Sequence, residues 1–178
     1  MMRAKTAIKY NALAGKAPAE LLENVNSVLC EENDVDMFVT VWLGILDLKS
    51  GDMRCSNAGH EYPAVMRSGD GYRLLTDEHG MALGVFENNP MAEYEIRMNP
   101  GDRIFVYTDG VTEASDEKKE QYGTGRLREQ LNRQKNADQK TLLESILQDI
   151  RNFAGAADQF DDITMLGLTY NGDSSERV

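Results

Sequence analysis

Acidic residues stand at the ends of two apolar, strand-like runs. Asp109 follows the run 103–108 and precedes Gly110, whose missing side chain lets the backbone turn and approach a ligand closely. Asp161 and Asp162 border the last apolar run, 162–170. If these runs are neighbouring antiparallel strands, the end of one lies beside the start of the other and the carboxylates converge on one rim. Convergent carboxylates repel unless a proton or a cation intervenes. Hard oxygen donors without Cys or clustered His select Mg²⁺ or Mn²⁺, or Ca²⁺, over zinc or copper. Spacing alone also admits a bland reading: Asp-Gly is a common turn, and an Asp before a strand is commonly a cap or a loop residue.

The elements that must position these residues follow from periodicity. Ala4, Ala7, Ile8 and Leu13 recur at helical steps up to Gly15. Pro18 opens a second, amphipathic helix reaching about residue 32, with Leu21, Leu22, Val25, Val28 and Leu29 on one face. Residues 37–46 are almost continuously apolar and rich in β-branched and aromatic side chains, which predicts a central strand buried on both faces. A Lys-Ser-Gly-Asp turn at 49–52 returns the chain antiparallel through 53–57. Strands are predicted at 62–66, 72–75, 92–98 and 103–108, helices at 125–134 and 138–153, and a last strand at 162–170. The order helix-helix, several strands, helix-helix, strand predicts an α+β fold with helices packed on antiparallel sheets. Domain organisation is read as one domain, 1–170, with a polar tail, 171–178.

Composition narrows the function. The 178 residues are 41% hydrophobic, which suits one folded domain, and carry 30 Asp and Glu against 19 Lys and Arg. The net charge of −11 repels nucleic acid. An acidic protein handles an anion such as phosphate by holding a cation. Cys30 and Cys55 are too few for a disulfide framework or a Cys-based zinc site and suggest a reducing cytosol. No run approaches the ~18 apolar residues of a membrane span. The expectation is a soluble cytoplasmic protein with no nucleic-acid partner.

Four blocks occur in order: Met37-Phe38-Val39-Thr40 leading to Gly44-Ile45-Leu46-Asp47; Asn57-Ala58-Gly59-His60; Tyr107-Thr108-Asp109-Gly110-Val111-Thr112-Glu113-Ala114; and Asp161-Asp162-Ile163-Thr164. Together they closely resemble the bacterial metal-dependent serine/threonine phosphatases of the type 2C superfamily, the group of sporulation stage II protein E and the stress regulator RsbU. The resemblance implies a four-layer α-β-β-α sandwich and a binuclear Mn²⁺ or Mg²⁺ centre that activates water for attack on phosphoserine or phosphothreonine. It implies that Asp109 and Asp161 are ligands of the second metal, that Gly110 keeps the metal loop tight, and that Asp162 orients the loop. Beyond the metal ligands no catalytic side chain is implied. The partner implied is a phosphorylated regulatory protein such as an anti-sigma factor antagonist, and a homodimer is compatible.

One departure counts against full activity. The family's earlier Gly-Asp-Val-Ser-Gly-type loop, which supplies a bridging aspartate, and the acidic motif before it do not occur here. The expectation is a phosphatase domain lacking its leading strands, which binds metal weakly and hydrolyses phosphate slowly. A non-catalytic pseudo-phosphatase acting as an interaction or dimerisation module is the alternative, and a plain divalent-metal-binding domain a third reading. His60 is a candidate for substrate contact or proton transfer, with a structural hydrogen-bonding role as the competing reading. His79 reads as a solvated loop residue, Trp42 and Phe38 as core, and Glu113 and Asp116 as a solvated approach to a helix or a further metal or substrate region. The first two helices either cover a sheet or transmit a regulatory movement to the metal site.

Overall fold

The computed structural model describes residues 2–31, 38–159 and 161–172. The chain forms two compact units, one of residues 1–60 and 77–98 and the other of residues 61–76 and 99–178.

The first unit opens with α1 (Met2–Leu13) and α2 (Pro18–Glu31), followed by β1 (Val41–Leu46), β2 (Asp52–Ala58) and, after an excursion into the second unit, the outermost strand of its sheet, Glu93–Arg97. Pro18 begins α2 where its missing N–H costs no helical bond. Leu21 and Leu22, with Val25 one turn on, are fully buried against Ala58 and Leu83. The sheet order is β1, β2, Glu93–Arg97, and both pairings are antiparallel.

Here two expectations are corrected. The stretch 37–46 is not a central strand: β1 pairs, among the described residues, with β2 on one side, and its residues are half-buried or exposed. Continuous apolarity marks burial potential and says nothing of which edge a strand occupies. Phe38 is 64% exposed and lies before the strand, next to the isolated bridge between Val39 and Leu83. The beginning of the expected strand at Met37 and the last residue of the expected second helix lie outside the described residues, as does most of the expected polar tail.

The second unit holds β3 (Ala64–Met66), β4 (Tyr72–Leu74), β6 (Arg103–Tyr107), α3 (Asp109–Thr112), α4 (Gly123–Arg133), α5 (Gln139–Ala154) and β7 (Met165–Thr169), with β5 being the Glu93–Arg97 strand of the first unit. The order is β4, β3, β6, β7, all antiparallel. The strand expected from Tyr62 starts later, because Pro63 has no N–H for the ladder. Asp138 caps α5, its carboxylate accepting the Thr141 N–H at 2.9 Å, and Leu142, Ile146 and Ile150 bury the face that joins Phe105, Tyr107 and Leu131. The last strand is shorter than 162–170 because its first residues are used in a loop. The expected α+β class with two antiparallel sheets holds. Among the described residues no helix is long and apolar enough to cross a membrane.

Candidate metal centre

Strands β6 and β7 pair antiparallel from Arg103↔Thr169 to Tyr107↔Met165, so the exit of β6 lies beside the entry of β7. Beyond the last rung the Thr108 N–H donates to the Thr164 carbonyl at 3.0 Å. The Thr108 hydroxyl donates to the Asp162 carbonyl at 2.9 Å and accepts the Thr164 N–H at 3.0 Å. One hydroxyl thus ties the end of β6 to the loop that carries Asp161 and Asp162.

Asp109 opens α3, exposed, with its carboxylate accepting the Gly110 N–H at 3.0 Å. Gly110 is buried. A Cβ there would stand 2.6 Å from the Asp162 carbonyl oxygen and 3.4 Å from the carbonyl carbon of Asp161. The two acidic loops therefore meet backbone to backbone, at a distance only glycine permits. Asp161 is exposed; its carboxylate accepts the Asp162 N–H at 2.6 Å, and its carbonyl accepts the Gln159 side-chain amide at 2.8 Å. Asp162 contributes its backbone carbonyl to the Thr108 hydroxyl.

Glu61 joins this region and was missed by sequence reasoning. The Tyr107 hydroxyl donates to it at 3.5 Å. Burial, and then the negative charges of Asp109 and Glu113, push the Glu61 carboxyl above its ordinary value, against the Tyr107 bond. Burial and the Glu61 charge push the Tyr107 phenol up in turn. The signal available in the sequence was its place directly after Asn-Ala-Gly-His and three residues before β3, the strand that pairs with β6. The carboxylates gathered here are of a type that fits a hard divalent cation. Among the described residues, however, no three His, Cys, Asp or Glu side chains come close enough to hold one, so the donor set is partial.

The remaining candidates take places in their own surroundings. His60 belongs to the first unit; its Nδ1 lies 3.1 Å from the Thr40 hydroxyl and its N–H donates to the Asn57 side-chain oxygen at 2.8 Å. The Asn57 amide donates back to the His60 carbonyl and to the buried Asp77 carboxylate, closing the Asn-Ala-Gly-His turn on itself. His79 is, as expected, an exposed loop residue, and its Nδ1 lies 2.8 Å from the Asp77 carboxylate. Asp116 accepts the N–H groups of Lys118 and Glu120 and shapes a turn. Glu113 lines a cavity with Asp161. Trp42 is half-buried and donates to the Tyr94 hydroxyl at 2.7 Å. Burial and the charges of Asp77 and Glu93 push the Cys55 thiol up to about 12, which leaves no thiolate nucleophile there.

Comparison with known proteins places this geometry. The chain is 34% identical over 145 residues to the protein IcfG of Synechocystis and 26% identical over 103 residues to the phosphoserine phosphatase RsbU of Bacillus subtilis. These matches take in 81% and 58% of this chain but only 22% and 31% of those proteins, so the chain spans less than a third of each curated relative. The fold is that of the PP2C domain of SiaA from Pseudomonas aeruginosa, with a TM-score of 0.82 at 19% identity over 95% of this chain and 68% of that one. Residues 1–171 match the family described as stage II sporulation protein E. The match runs through both acidic loops and nearly the whole sequence, and the chain belongs to the stage II sporulation protein E family.

Proposed function

We propose that this chain serves metal-dependent hydrolysis of phosphoserine or phosphothreonine on a regulatory partner protein, with an anti-sigma factor antagonist as the class the resemblance implies. The observation that carries the reading is the register of β6 and β7, which sets Asp109-Gly110 against Asp161-Asp162 with their backbones in contact. Asp109 and Asp161 would hold Mn²⁺ or Mg²⁺, two ions in a complete centre. A divalent ion bound there supplies acidified water and neutralises charge on the phosphoryl oxygens. The residues of this chain do the positioning: Gly110 permits the loop contact, Thr108 pins the Asp162 carbonyl, and Asp162 passes that restraint to its neighbour. Glu61, held by Tyr107, adds negative charge that a cation relieves.

Because the described donors form a partial set, the 178-residue chain is expected to bind Mn²⁺ weakly and to turn over slowly. The test is hydrolysis of p-nitrophenyl phosphate and of a phosphoserine peptide with and without Mn²⁺. Slow, Mn²⁺-stimulated hydrolysis that disappears in Asp109→Asn supports the reading. Hydrolysis indifferent to Mn²⁺ and to Asp109→Asn overturns it. Robust Mn²⁺-stimulated turnover would overturn the expectation of weak activity alone. The partial donor set also favours a second reading, a non-catalytic interaction module, which predicts phosphopeptide binding without turnover in any metal.

A further inference from the structure

A cavity of about 160 Å³ opens in the second unit beside the acidic loop, with Gly110 and Asp161 in its wall. Apolar cavities of about 150 Å³ admit a benzene-sized group, so this one has room for a single long side chain. Part of its lining is aliphatic, with Ile150, Ala154, Ala157 and Ile163. Its charged lining residues are Glu113, Asp158 and Asp161 with one cation, Arg151. Apolar walls suit the methylene stem of an amphipathic side chain, and a net negative rim suits a cationic head. An anion would meet three carboxylates for one guanidinium. The chain's net charge of −11 draws a basic segment toward the molecule at longer range.

We propose that this cavity is a subsite for an Arg or Lys side chain flanking the phosphorylated residue of the partner. That the occupant belongs to a phosphoprotein rests on the phosphatase reading; that the cavity takes a cationic head on an aliphatic stem does not. Because Asp161 belongs to both the cavity and the candidate metal loop, the flanking side chain sits next to the place where the phosphate is expected. Specificity then comes from one residue position beside the phosphoserine.

The first test is independent of hydrolysis. Nα-acetyl-arginine amide is titrated into the 178-residue chain carrying ¹³C-labelled Ile methyl groups, with the norleucine and glutamate analogues as controls. Saturable shifts at Ile150 and Ile163 are expected for arginine, about five-fold weaker binding for norleucine, in line with one partly exposed ion pair, and no saturable shift for glutamate. Ala154→Leu, which fills the cavity, is expected to abolish the arginine response. Asp158→Asn, on the exposed rim where folding is not at stake, is expected to weaken it about three-fold. The absence of shifts at both isoleucines, equal binding of all three probes, or an arginine response unchanged by Asp158→Asn overturns the proposal. The second test compares phosphoserine peptides with arginine or norleucine at each flanking position. Tighter binding with arginine at one position, lost in Ala154→Leu, supports the subsite; no such preference overturns it. The Asp109→Asn hydrolysis test judges the phosphatase reading separately.

Discussion

Replacing Gly110 by alanine puts the contact between the two acidic loops under direct test. The new Cβ would lie 2.6 Å from the Asp162 carbonyl oxygen and 3.0 Å from its carbonyl carbon. Ordinary contact between such atoms begins near 3.5 Å, so the loops must separate by about 0.5–1 Å. The obstructing atoms are backbone, and the carbonyl is held by the Thr108 hydroxyl, so no flexible side chain can swing away. Overpacking of this kind costs about 1–3 kcal/mol. For a chain of this size each kcal/mol lowers Tm by about 2–4 °C, which gives a fall of about 2–12 °C by calorimetry. The same displacement moves Asp109 from Asp161, and functional constellations tolerate only about 0.5 Å, so Mn²⁺ affinity should fall as well. Gly125→Ala is the control: a Cβ there meets nothing within 4 Å and the residue lies inside α4. It should raise stability by about 0.5–1 kcal/mol through helix propensity and leave Mn²⁺ binding unchanged. A Gly110→Ala chain whose Tm and Mn²⁺ affinity match those of the wild type would refute the loop-contact argument.

Two further substitutions probe the buried carboxylates that do not serve the candidate centre. The Tyr94 hydroxyl donates to Asp77 at 2.6 Å and accepts the Trp42 indole N–H at 2.7 Å. Tyr94→Phe should therefore cost about 1.5–3 kcal/mol in urea unfolding and alter the fluorescence of Trp42, the only Trp; an unchanged midpoint would remove the network from the stability account. Asp102 is 1% exposed; burial opposes its charge, but the Asn99 N–H, the Arg67 guanidinium and the Ser68 N–H outweigh burial and hold its carboxyl below the ordinary 3.8. A depressed carboxyl stabilises the fold above the unfolded-state value and loses that contribution as pH falls through the folded-state value. Asp102→Asn should therefore destabilise the chain by about 1.5–3 kcal/mol at pH 7, with the gap to wild type narrowing below about pH 4; a gap independent of pH would refute the assignment.

How much was legible depended on whether a feature is local. The helices were readable because burial at three- and four-residue steps leaves its mark on Leu21, Leu22 and Val25, and on Leu142, Ile146 and Ile150. The pairing of β6 with β7 could be posed from sequence because both runs carry an acidic residue at the end that must meet. Which strand forms an edge is set by long-range partners, and the apolar stretch 37–46 carries no record of them. The approach of Glu61 to Asp109 joins residues far apart in the chain, and nothing in the sequence around Glu61 records it. The one-turn α3 was hidden because four residues, Asp-Gly-Val-Thr, are too few to show a period.

The carboxylates of this chain divide by how they are satisfied, and the division bears on the site. Asp102 takes the Arg67 guanidinium and two backbone N–H groups, and Asp77 takes Asn57, Tyr94 and His79; each combines donors from distant parts of the chain with one near neighbour. Asp109 and Asp161 accept the N–H of the residue that follows each, at loops held together by Gly110 and Thr108. An ionised carboxylate has about four acceptor sites, so one local N–H leaves most of its capacity directed outward. The fold therefore directs several donors onto Asp102 and Asp77 and leaves Asp109 and Asp161 exposed, on loops held in backbone contact, with capacity for a cation. Net acidity by itself would not distinguish these two from the other 28 acidic residues. Their placement on two loops held in backbone contact does, and it is the reason a divalent ion, rather than another part of the chain, is the partner proposed for them.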